Sequence, residues 1–258
     1  MSRESLLSLA GRSAVVIGGT SGIGKAIALG FAEAGANVIA SSRSEESTAA
    51  MADEIRAIGS RTVNVTSDAG DRDSLQRLCD VALETFGAVD VLVNCAGKTR
   101  RVPSLDITEE LWNDIFDTNL TGTLRACQIF GKAMIERGKG RIINIASLSS
   151  FVAFQEVAPY GASKAAVAAL TRSLAVEWAS YGVLVNAIAP GIFPTALNSA
   201  LLDSPRGAEL LQRTPMARFG KASELVSTAL YLACDATSYT TGQIIVVDGG
   251  MLSSGVNQ

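Results

Sequence analysis

Short apolar runs rich in β-branched residues alternate with longer helical patterns along this 258-residue chain. Most of the short runs are almost continuously apolar, which is typical of strands covered by helices on both faces. The seven predicted strands are Ser13–Gly18, Asn37–Ser41, Thr62–Thr66, Val89–Asn94, Arg141–Ala146, Val183–Ile188 and Gln243–Val247. The predicted helices between them are Gly22–Ala34, Ser44–Ile58, Asp71–Phe86, Glu109–Arg137, Pro159–Ser180 and Ser223–Cys234. This alternation indicates right-handed βαβ units in a parallel sheet.

The domain organisation follows from the absence of a Gly/Ser linker or composition break in the sequence. We therefore expect residues 1–258 to form a single α/β domain with a doubly wound Rossmann fold. Its sheet should be seven-stranded and parallel, with helices on both faces. Residues of about 190–221 contain four prolines and only short helical fragments, so they predict a lid over a substrate.

Composition excludes several kinds of chemistry and partner. The chain has no histidine, so neither a Ser-His-Asp triad nor an imidazole-ligated metal is expected, and no metal site is predicted. Its four cysteines lack CxxC spacing, which favours reduced thiols. A net charge of −3 and the absence of a basic arm argue against nucleic acid. No apolar stretch reaches the ~20 residues of a membrane span, so we expect a cytoplasmic protein without a membrane partner.

A glycine-rich turn follows the first predicted strand and opens a helix. It reads Gly18-Gly19-Thr20-Ser21-Gly22-Ile23-Gly24. Glycines permit a tight turn and a close approach of the backbone to phosphate, while a helix N-terminus offers free N–H groups to a pyrophosphate. After the first strand of a βαβ chain, this turn predicts dinucleotide binding.

The end of the second predicted strand bears on which dinucleotide binds. An acidic residue there would bind the ribose hydroxyls of NAD, but this chain has Ser42 and Arg43. A guanidinium suits a 2′-phosphate. Ser44, Glu45 and Glu46 follow in the sequence. We interpret Ser44 as the N-cap of the next helix and the two glutamates as residues of its first turn. We predict NADP(H), with NAD as the alternative.

Tyr160 and Lys164 stand four residues apart in a predicted helix, with Ser147 thirteen residues upstream of Tyr160. This spacing places the two side chains on one helix face. A nearby ammonium favours a phenolate, so Lys164 should lower the pKa of Tyr160 and make it a usable base. Taken by themselves, the two residues are more typical of a packed ring beside a solvated amine.

Taken in order along the chain, these motifs resemble the short-chain dehydrogenase/reductase family from about Leu9 to about Met251. The supporting motifs are the glycine-rich turn, Asn94-Cys95-Ala96-Gly97, Asn119, Ser147, Tyr160 with Lys164, Pro190-Gly191 and Val247-Asp248-Gly249-Gly250. The family's common second Asn is Cys95 in this chain.

The resemblance implies a role for each catalytic candidate. Tyr160 would be the acid/base for the substrate oxygen, and Lys164 would lower its pKa and hold the nicotinamide ribose. Ser147 would orient the substrate oxygen by a hydrogen bond. Asn119 would position a water that links Lys164 to solvent.

The resemblance also implies the residues that bind the cofactor. Asp68 would contact adenine, although it could instead cap a helix. The full set is Gly18, Thr20, Ser21, Gly22, Ile23, Gly24, Ser42, Arg43, Asp68, Asn94, Ala96, Gly97, Tyr160, Lys164, Pro190, Gly191, Ile192 and Thr195.

The expected reaction is hydride transfer between NADP(H) and a secondary alcohol or ketone. The loop after Gly97 carries Arg100 and Arg101, which would suit an anionic sugar acid or related polyol, with Ser149 as a further substrate residue. The loop could also be solvated or an oligomer contact. Together with Arg213-Thr214-Pro215-Met216-Ala217-Arg218-Phe219-Gly220, this loop resembles the gluconate 5-dehydrogenase and deoxygluconate dehydrogenase branch.

Two alternatives stay open. One is a 3-oxoacyl-acyl-carrier-protein reductase, and the other, of a different class, is a catalytically silent nucleotide-binding regulator. The resemblance further implies a homotetramer.

Overall fold

The computed structural model of the protein describes residues 6–195 and 204–255. Within these ranges six parallel strands form one sheet. They are β1 Ser13–Ile17, β2 Asn37–Ser41, β3 Val91–Asn94, β4 Gly140–Ile145, β5 Val183–Pro190 and β6 Ile244–Val247. Their order across the sheet is β2-β1-β3-β4-β5-β6, and every neighbouring pair is parallel.

Eight α-helices are described along the same ranges. They are α1 Gly22–Glu33, α2 Glu45–Ala57, α3 Arg72–Phe86, α4 Glu109–Phe116, α5 Gly122–Arg137, α6 Ala158–Trp178, α7 Pro205–Gln212 and α8 Val226–Ala233. Among the described residues, no helix combines the length and the apolar character needed to cross a bilayer.

Helices cover both faces of the sheet. Successive side chains of β1 point to opposite faces, so Val16 joins one core and Val15 the other. Phe31 of α1 packs into the first core, while Phe130 of α5 and Trp178 of α6 pack into the second. The doubly wound α/β fold predicted from the sequence is confirmed.

The seventh predicted strand, Thr62–Thr66, is not a strand. A backbone hydrogen bond joins Val38 N to Arg61 O at 3.0 Å, and another joins Ser67 N to Ser42 O at 2.9 Å. These bonds tie the two ends of the segment to the β2 edge without a continuous ladder between them. The apolar alternation of this segment therefore serves packing against the core rather than strand pairing, and the sheet has six described strands instead of seven.

The single helix predicted over Glu109–Arg137 is interrupted. A π-helical turn, Asp117–Thr121, lies between α4 and α5 and carries Asn119. Such turns widen the helix locally and are frequent at functional sites. The sequence does not separate this turn from the flanking helices, because its five residues include neither glycine nor proline to mark a break.

The predicted lid over about 190–221 is described only in part, since residues 196–203 lie outside the described ranges. Its described portion contains α7, which begins after Ser204. The Ser204 side chain accepts a hydrogen bond from Gly207 N at 3.2 Å and so caps this helix.

The strand order places a crevice at the carboxyl end of β1. This strand has β2 on one side and β3 on the other, so the connections that leave the two neighbours diverge. In open α/β sheets, ligands bind at such a switch point.

Candidate active site

A cavity of about 480 Å³ opens at this switch point. It has the size of a small-molecule or cofactor site. Most of the residues predicted to bind cofactor or substrate line it. They are Gly18, Thr20, Ser21, Gly22, Ile23, Gly24, Ser42, Arg43, Asp68, Ala96, Gly97, Ser147, Ser149, Tyr160, Lys164, Pro190, Gly191, Ile192 and Thr195. Asn94, Asn119, Arg100 and Arg101 are outside this lining.

The glycine-rich turn has the geometry of a phosphate cradle. Gly18 has φ +78°, and a Cβ on it would lie 2.6 Å from Ala96 N, so a side chain would collide with the backbone just after β3. Helix α1 starts after Ser21, whose side chain makes no capping hydrogen bond within the described structure. The first N–H groups of α1 therefore stay available to an anion, and the turn fits a pyrophosphate.

The end of β2 presents an exposed cation to the cavity. Arg43 lines the cavity, and no carboxylate of the described residues forms an ion pair with it. Ser44 caps α2 by accepting a hydrogen bond from Ser47 N at 3.2 Å. Glu45 and Glu46 lie in the first turn of that helix, as predicted. The Arg43 guanidinium is thus left for a ligand.

Asp68 shapes the loop beside this cation. Its Oδ1 accepts a hydrogen bond from Gly70 N at 2.8 Å. The residue that caps α3 is Asp71, which accepts from Asp73 N at 2.9 Å. Capping was the alternative for Asp68, and the structure gives that role to Asp71 while leaving Asp68 in the cavity wall.

Asn94 lies beneath the cavity in a buried polar network. Its Nδ2 donates to Asn144 Oδ1 at 2.9 Å and to Cys127 Sγ at 3.3 Å. Asn144 Nδ2 in turn donates to Thr171 Oγ1 at 2.9 Å. These bonds tie β3, β4 and α6 together. Asn94 therefore supports the strands that carry the site, rather than lining the cavity.

Tyr160 and Lys164 share one face of α6, as their spacing predicts. Lys164 Nζ lies 5.8 Å from the centroid of the Tyr160 ring. This amine is 5 % exposed and donates a hydrogen bond to Ile145 O at 2.7 Å. The end of β4 therefore holds the amine in place beside the ring.

The lowered pKa that the sequence predicts for Tyr160 is not found in this arrangement, whereas the effect of Lys164 on that pKa stays a prediction. Burial raises the pKa of Tyr160 above its ordinary value of 10.0, and hydrogen bonding from Ser147 opposes this rise only in part. Burial also lowers the pKa of Lys164 to about 8. Desolvation of the buried phenol therefore outweighs the hydrogen bond from Ser147.

Ser147 is placed to donate a hydrogen bond toward Tyr160. Its hydroxyl oxygen accepts from Ser149 N at 3.1 Å, at the start of a 3-10 turn that follows β4. Since that lone pair is occupied, the hydroxyl proton is free to point into the cavity. The hydrogen bond from Ser147 favours the charged form of Tyr160.

Asn119 anchors the loop after β3. Its side chain accepts from Lys98 N at 2.8 Å and donates to Lys98 O at 2.9 Å. Its Nδ2 also donates to Ser163 Oγ at 3.0 Å, which ties the loop to α6. A Cβ on Gly97 would lie 3.3 Å from Asn119 Oδ1 and 3.4 Å from Lys164 Nζ. Asn119 thus acts from behind the cavity wall, close to the lysine.

Cys95 places a neutral thiol in the same wall. Burial raises its pKa to about 11, and the charge of Lys164 opposes this only in part. Sequence reasoning noted this cysteine only as a departure from the family pattern, because its neighbour Lys164 comes from a distant helix.

The substrate end of the cavity differs from the sequence prediction. Arg101 forms an ion pair with Glu156 and is exposed, as is Arg100. The loop supplies Lys98 and Thr99 to the cavity instead. Lining residues that sequence reasoning missed are Phe154, Val157, Phe193, Arg206 and Leu210. Three of these, Phe193, Arg206 and Leu210, lie in the segment predicted as a lid, and that prediction was the available signal.

Comparisons with known proteins agree with this geometry. A family model described as enoyl-(acyl carrier protein) reductase matches residues 18–252. The chain is 39% identical to the 2-dehydro-3-deoxy-D-gluconate 5-dehydrogenase of Escherichia coli K12 over 96% of this chain and 98% of that protein. It is also 39% identical to the 3-oxoacyl-[acyl-carrier-protein] reductase of Staphylococcus aureus Mu50, over 93% of this chain and 98% of that protein.

Among solved structures, the gluconate 5-dehydrogenase of Burkholderia cenocepacia J2315 in complex with NADP and tartrate is similar to this chain. It has a TM-score of 0.94 and 38% identity, over 97% of this chain and 99% of that one. The matches cover nearly the whole chain, including the cavity wall and α6. The chain belongs to the short-chain dehydrogenase/reductase family.

Proposed function

We propose that the protein is an NADP(H)-dependent oxidoreductase that interconverts a secondary alcohol and a ketone, acting on a sugar acid or related polyol. The observation that carries this proposal is the position of Ser147, Tyr160 and Lys164 in one cavity with the glycine-rich turn and Arg43. A proton-handling group and a dinucleotide cradle therefore face the same space.

The cofactor would lie along the wall formed by β1, β2 and β3. The N-terminus of α1 would hold the pyrophosphate, and Arg43 would bind the 2′-phosphate. The relative from Burkholderia cenocepacia was solved with NADP, which supports this choice. Other residues proposed to contact the cofactor are Asp68, Ala96, Gly97, Pro190, Gly191, Ile192 and Thr195. Bound NADP would supply or accept the hydride.

The chain's own residues would orient the substrate and move its proton. Ser147 would donate a hydrogen bond to the substrate oxygen, and the Tyr160 hydroxyl would exchange its proton with that oxygen. Lys164 would bind the nicotinamide ribose and hold a positive charge near Tyr160. Asn119 would hold the backbone next to this amine and organise solvent there.

The sugar-acid assignment is supported by the charges of the cavity wall. Among the described lining residues, Asp68 is the single carboxylate, whereas Lys98 and Arg206 lie toward the loops that would contact substrate. A relative that matches this chain along nearly its full length is a deoxygluconate dehydrogenase.

A 3-oxoacyl-acyl-carrier-protein reductase is the second candidate, favoured by an equal identity to the enzyme of Staphylococcus aureus. A carrier protein is acidic and needs a basic surface. Past Arg172, however, α6 presents exposed Val176 and Glu177. A silent regulator is disfavoured because all four catalytic candidates are intact.

The proposal takes residues 1–258 as one domain, working in the cytoplasm as a homotetramer. All described strands belong to one sheet, which supports the single domain. The exposed faces of Trp112 on α4 and Val176 on α6 are apolar and would suit contacts between subunits.

The test is an absorbance assay at the nicotinamide band. Purified enzyme is incubated with NADP⁺ and a panel of sugar acids and polyols, and with NADPH and 3-oxoacyl thioesters. We expect turnover of one or more sugar acids. Turnover confined to thioesters would select the second candidate, and no turnover with any substrate would favour the regulator.

A further inference from the structure

The cavity wall contains four cationic side chains in the described part of the chain: Arg43, Lys98, Lys164 and Arg206. Three of these cations already have a partner in the protein or lie away from the proposed substrate position. Lys164 donates to Ile145 O, and Lys98 is paired with Asp114. Arg43 lies at the β2 end, with the proposed 2′-phosphate site. Arg206 is left as the cation of the substrate end.

Arg206 links α7 to the loop that precedes α6. One guanidinium nitrogen, Nη2, donates to Gln155 O at 2.9 Å. That loop runs directly into the helix that carries Tyr160 and contributes Phe154 and Val157 to the cavity. The guanidinium is thus held between two segments that border the position of the substrate.

The second terminal nitrogen of Arg206 is unsatisfied. Nη1 is buried and has no hydrogen-bond partner among the residues that the structure describes. A buried charged donor without a partner is costly, so its presence at a cavity wall points to a ligand acceptor. Guanidinium donors fit the oxygens of a carboxylate, and such charge-assisted bonds are among the stronger ones.

We propose that Arg206 binds the carboxylate of the substrate through Nη1 and thereby selects sugar acids over neutral polyols. This inference rests on the proposed function and adds the residue that recognises the anion. It replaces Arg100 and Arg101, neither of which lines the cavity.

The test compares wild type with Arg206→Met and Arg206→Lys. Because the enzyme saturated with NADP⁺ would oxidise D-gluconate, the binding of D-gluconate and of its neutral counterpart D-glucitol is titrated calorimetrically in the Tyr160→Phe background with NADP⁺. Oxidation rates are measured without that substitution. Arg206→Met should weaken D-gluconate binding about 10- to 100-fold, the range expected for a lost hydrogen bond to a charged group. D-glucitol binding should be nearly unchanged. Arg206→Lys keeps the charge and should lose less.

Steady-state kinetics distinguish a loss of substrate recognition from a general loss of folding or activity. A carboxylate held equally in ground and transition states contributes to KM, so KM for D-gluconate should rise while kcat stays within about twofold. The matched control is Arg213→Met, in an exposed arginine one residue past α7 that pairs with Glu209 outside the cavity. Melting temperature and NADP⁺ affinity report on folding and on the cofactor site.

Each outcome decides between the two claims. Unchanged D-gluconate binding in a folded Arg206→Met variant overturns the role of Arg206, while wild-type turnover of sugar acids leaves the proposed function standing. Loss of D-gluconate binding without wild-type turnover supports Arg206 and rejects the proposed reaction. An equal loss of NADP⁺ affinity assigns Arg206 to the cofactor and overturns the inference. If sugar acids are neither bound in the Tyr160→Phe background nor oxidised by wild type, both claims fall.

Discussion

The two ends of the cavity are built in different ways. The proton-transfer end, formed by Ser147, Tyr160 and Lys164, is held by strand ends and by a buried hydrogen bond to Ile145 O. The substrate end is formed by loops and α7. Its cation Arg206 donates to Gln155 O, whereas Arg101 lies outside the lining and pairs with Glu156. Rigid elements thus fix the chemistry, while the loops decide which substrate meets it.

The largest expected difference between the two ends is in kcat. Tyr160→Phe removes the proton-transfer group and should lower kcat by about 10²- to 10⁴-fold, with the NADP⁺ dissociation constant nearly unchanged. Initial rates and a cofactor titration measure this. Tyr181→Phe is the control, because Tyr181 is exposed just past the far end of α6. If the Tyr160→Phe variant kept the kcat of wild type, Tyr160 would not be the proton-transfer group. The distinction between the two ends of the cavity would then lose its basis.

The proton-transfer end should also show a pH dependence of stability. Burial lowers the pKa of Lys164 to about 8, whereas an unfolded lysine keeps its ordinary value near 10.5. At this lysine the unfolded state therefore binds more protons between these values, so the contribution of Lys164 to stability should rise with pH there, by up to about 3 kcal/mol. Buried thiols such as Cys95, whose pKa is raised, contribute in the opposite sense. Below pH 8 the burial penalty is fully present.

Lys164→Met removes this titration. Urea unfolding at pH 7.5, 9 and 10.5 should show the stability of wild type relative to the variant increasing toward the alkaline end. Lys132→Met, on the exposed side of α5, is the matched control and should show no such trend. A difference that is constant with pH would show that the ammonium is solvated.

Arg43→Ala tests the wall formed by β1, β2 and β3, along which we propose that the cofactor binds. Losing a charge-assisted bond to the 2′-phosphate should raise KM for NADP⁺ by about 10- to 100-fold and leave KM for NAD⁺ nearly unchanged. Arg56→Ala is the control, since Arg56 pairs with Asp53 on the surface of α2. Equal effects on both cofactors would rule out the phosphate contact.

The smallest effect is expected at the substrate loop. Arg101→Ala breaks an exposed ion pair with Glu156, and such pairs contribute about 0–1 kcal/mol. KM for D-gluconate should therefore change less than about fivefold. A larger increase in KM would show that this loop, through Arg101, binds the anionic substrate. It would also contradict the assignment of anion binding to Arg206.

Sequence reasoning succeeded where a feature depends on near neighbours. The i, i+4 spacing put Tyr160 and Lys164 on one face of α6, and Ser44 caps α2 as its position before Glu45 predicted. Both results follow from local helix geometry.

The failures depend on contacts between distant segments. Thr62–Thr66 has the pattern of a strand but finds no continuous partner along the β2 edge. The pKa of Tyr160 rises because the packed fold desolvates its phenol. Arg206 was missed because its importance depends on where α7 packs. None of these three results can be predicted from the spacing of residues along the sequence.

The most direct test of the whole account is a crystal structure of the enzyme with NADP⁺ and D-gluconate. It should show the 2′-phosphate on Arg43, a sugar hydroxyl within hydrogen-bond distance of Ser147 Oγ and the Tyr160 hydroxyl, and the carboxylate on Arg206. A carboxylate bound by Arg100 or Arg101, or a sugar remote from Tyr160, would contradict the account.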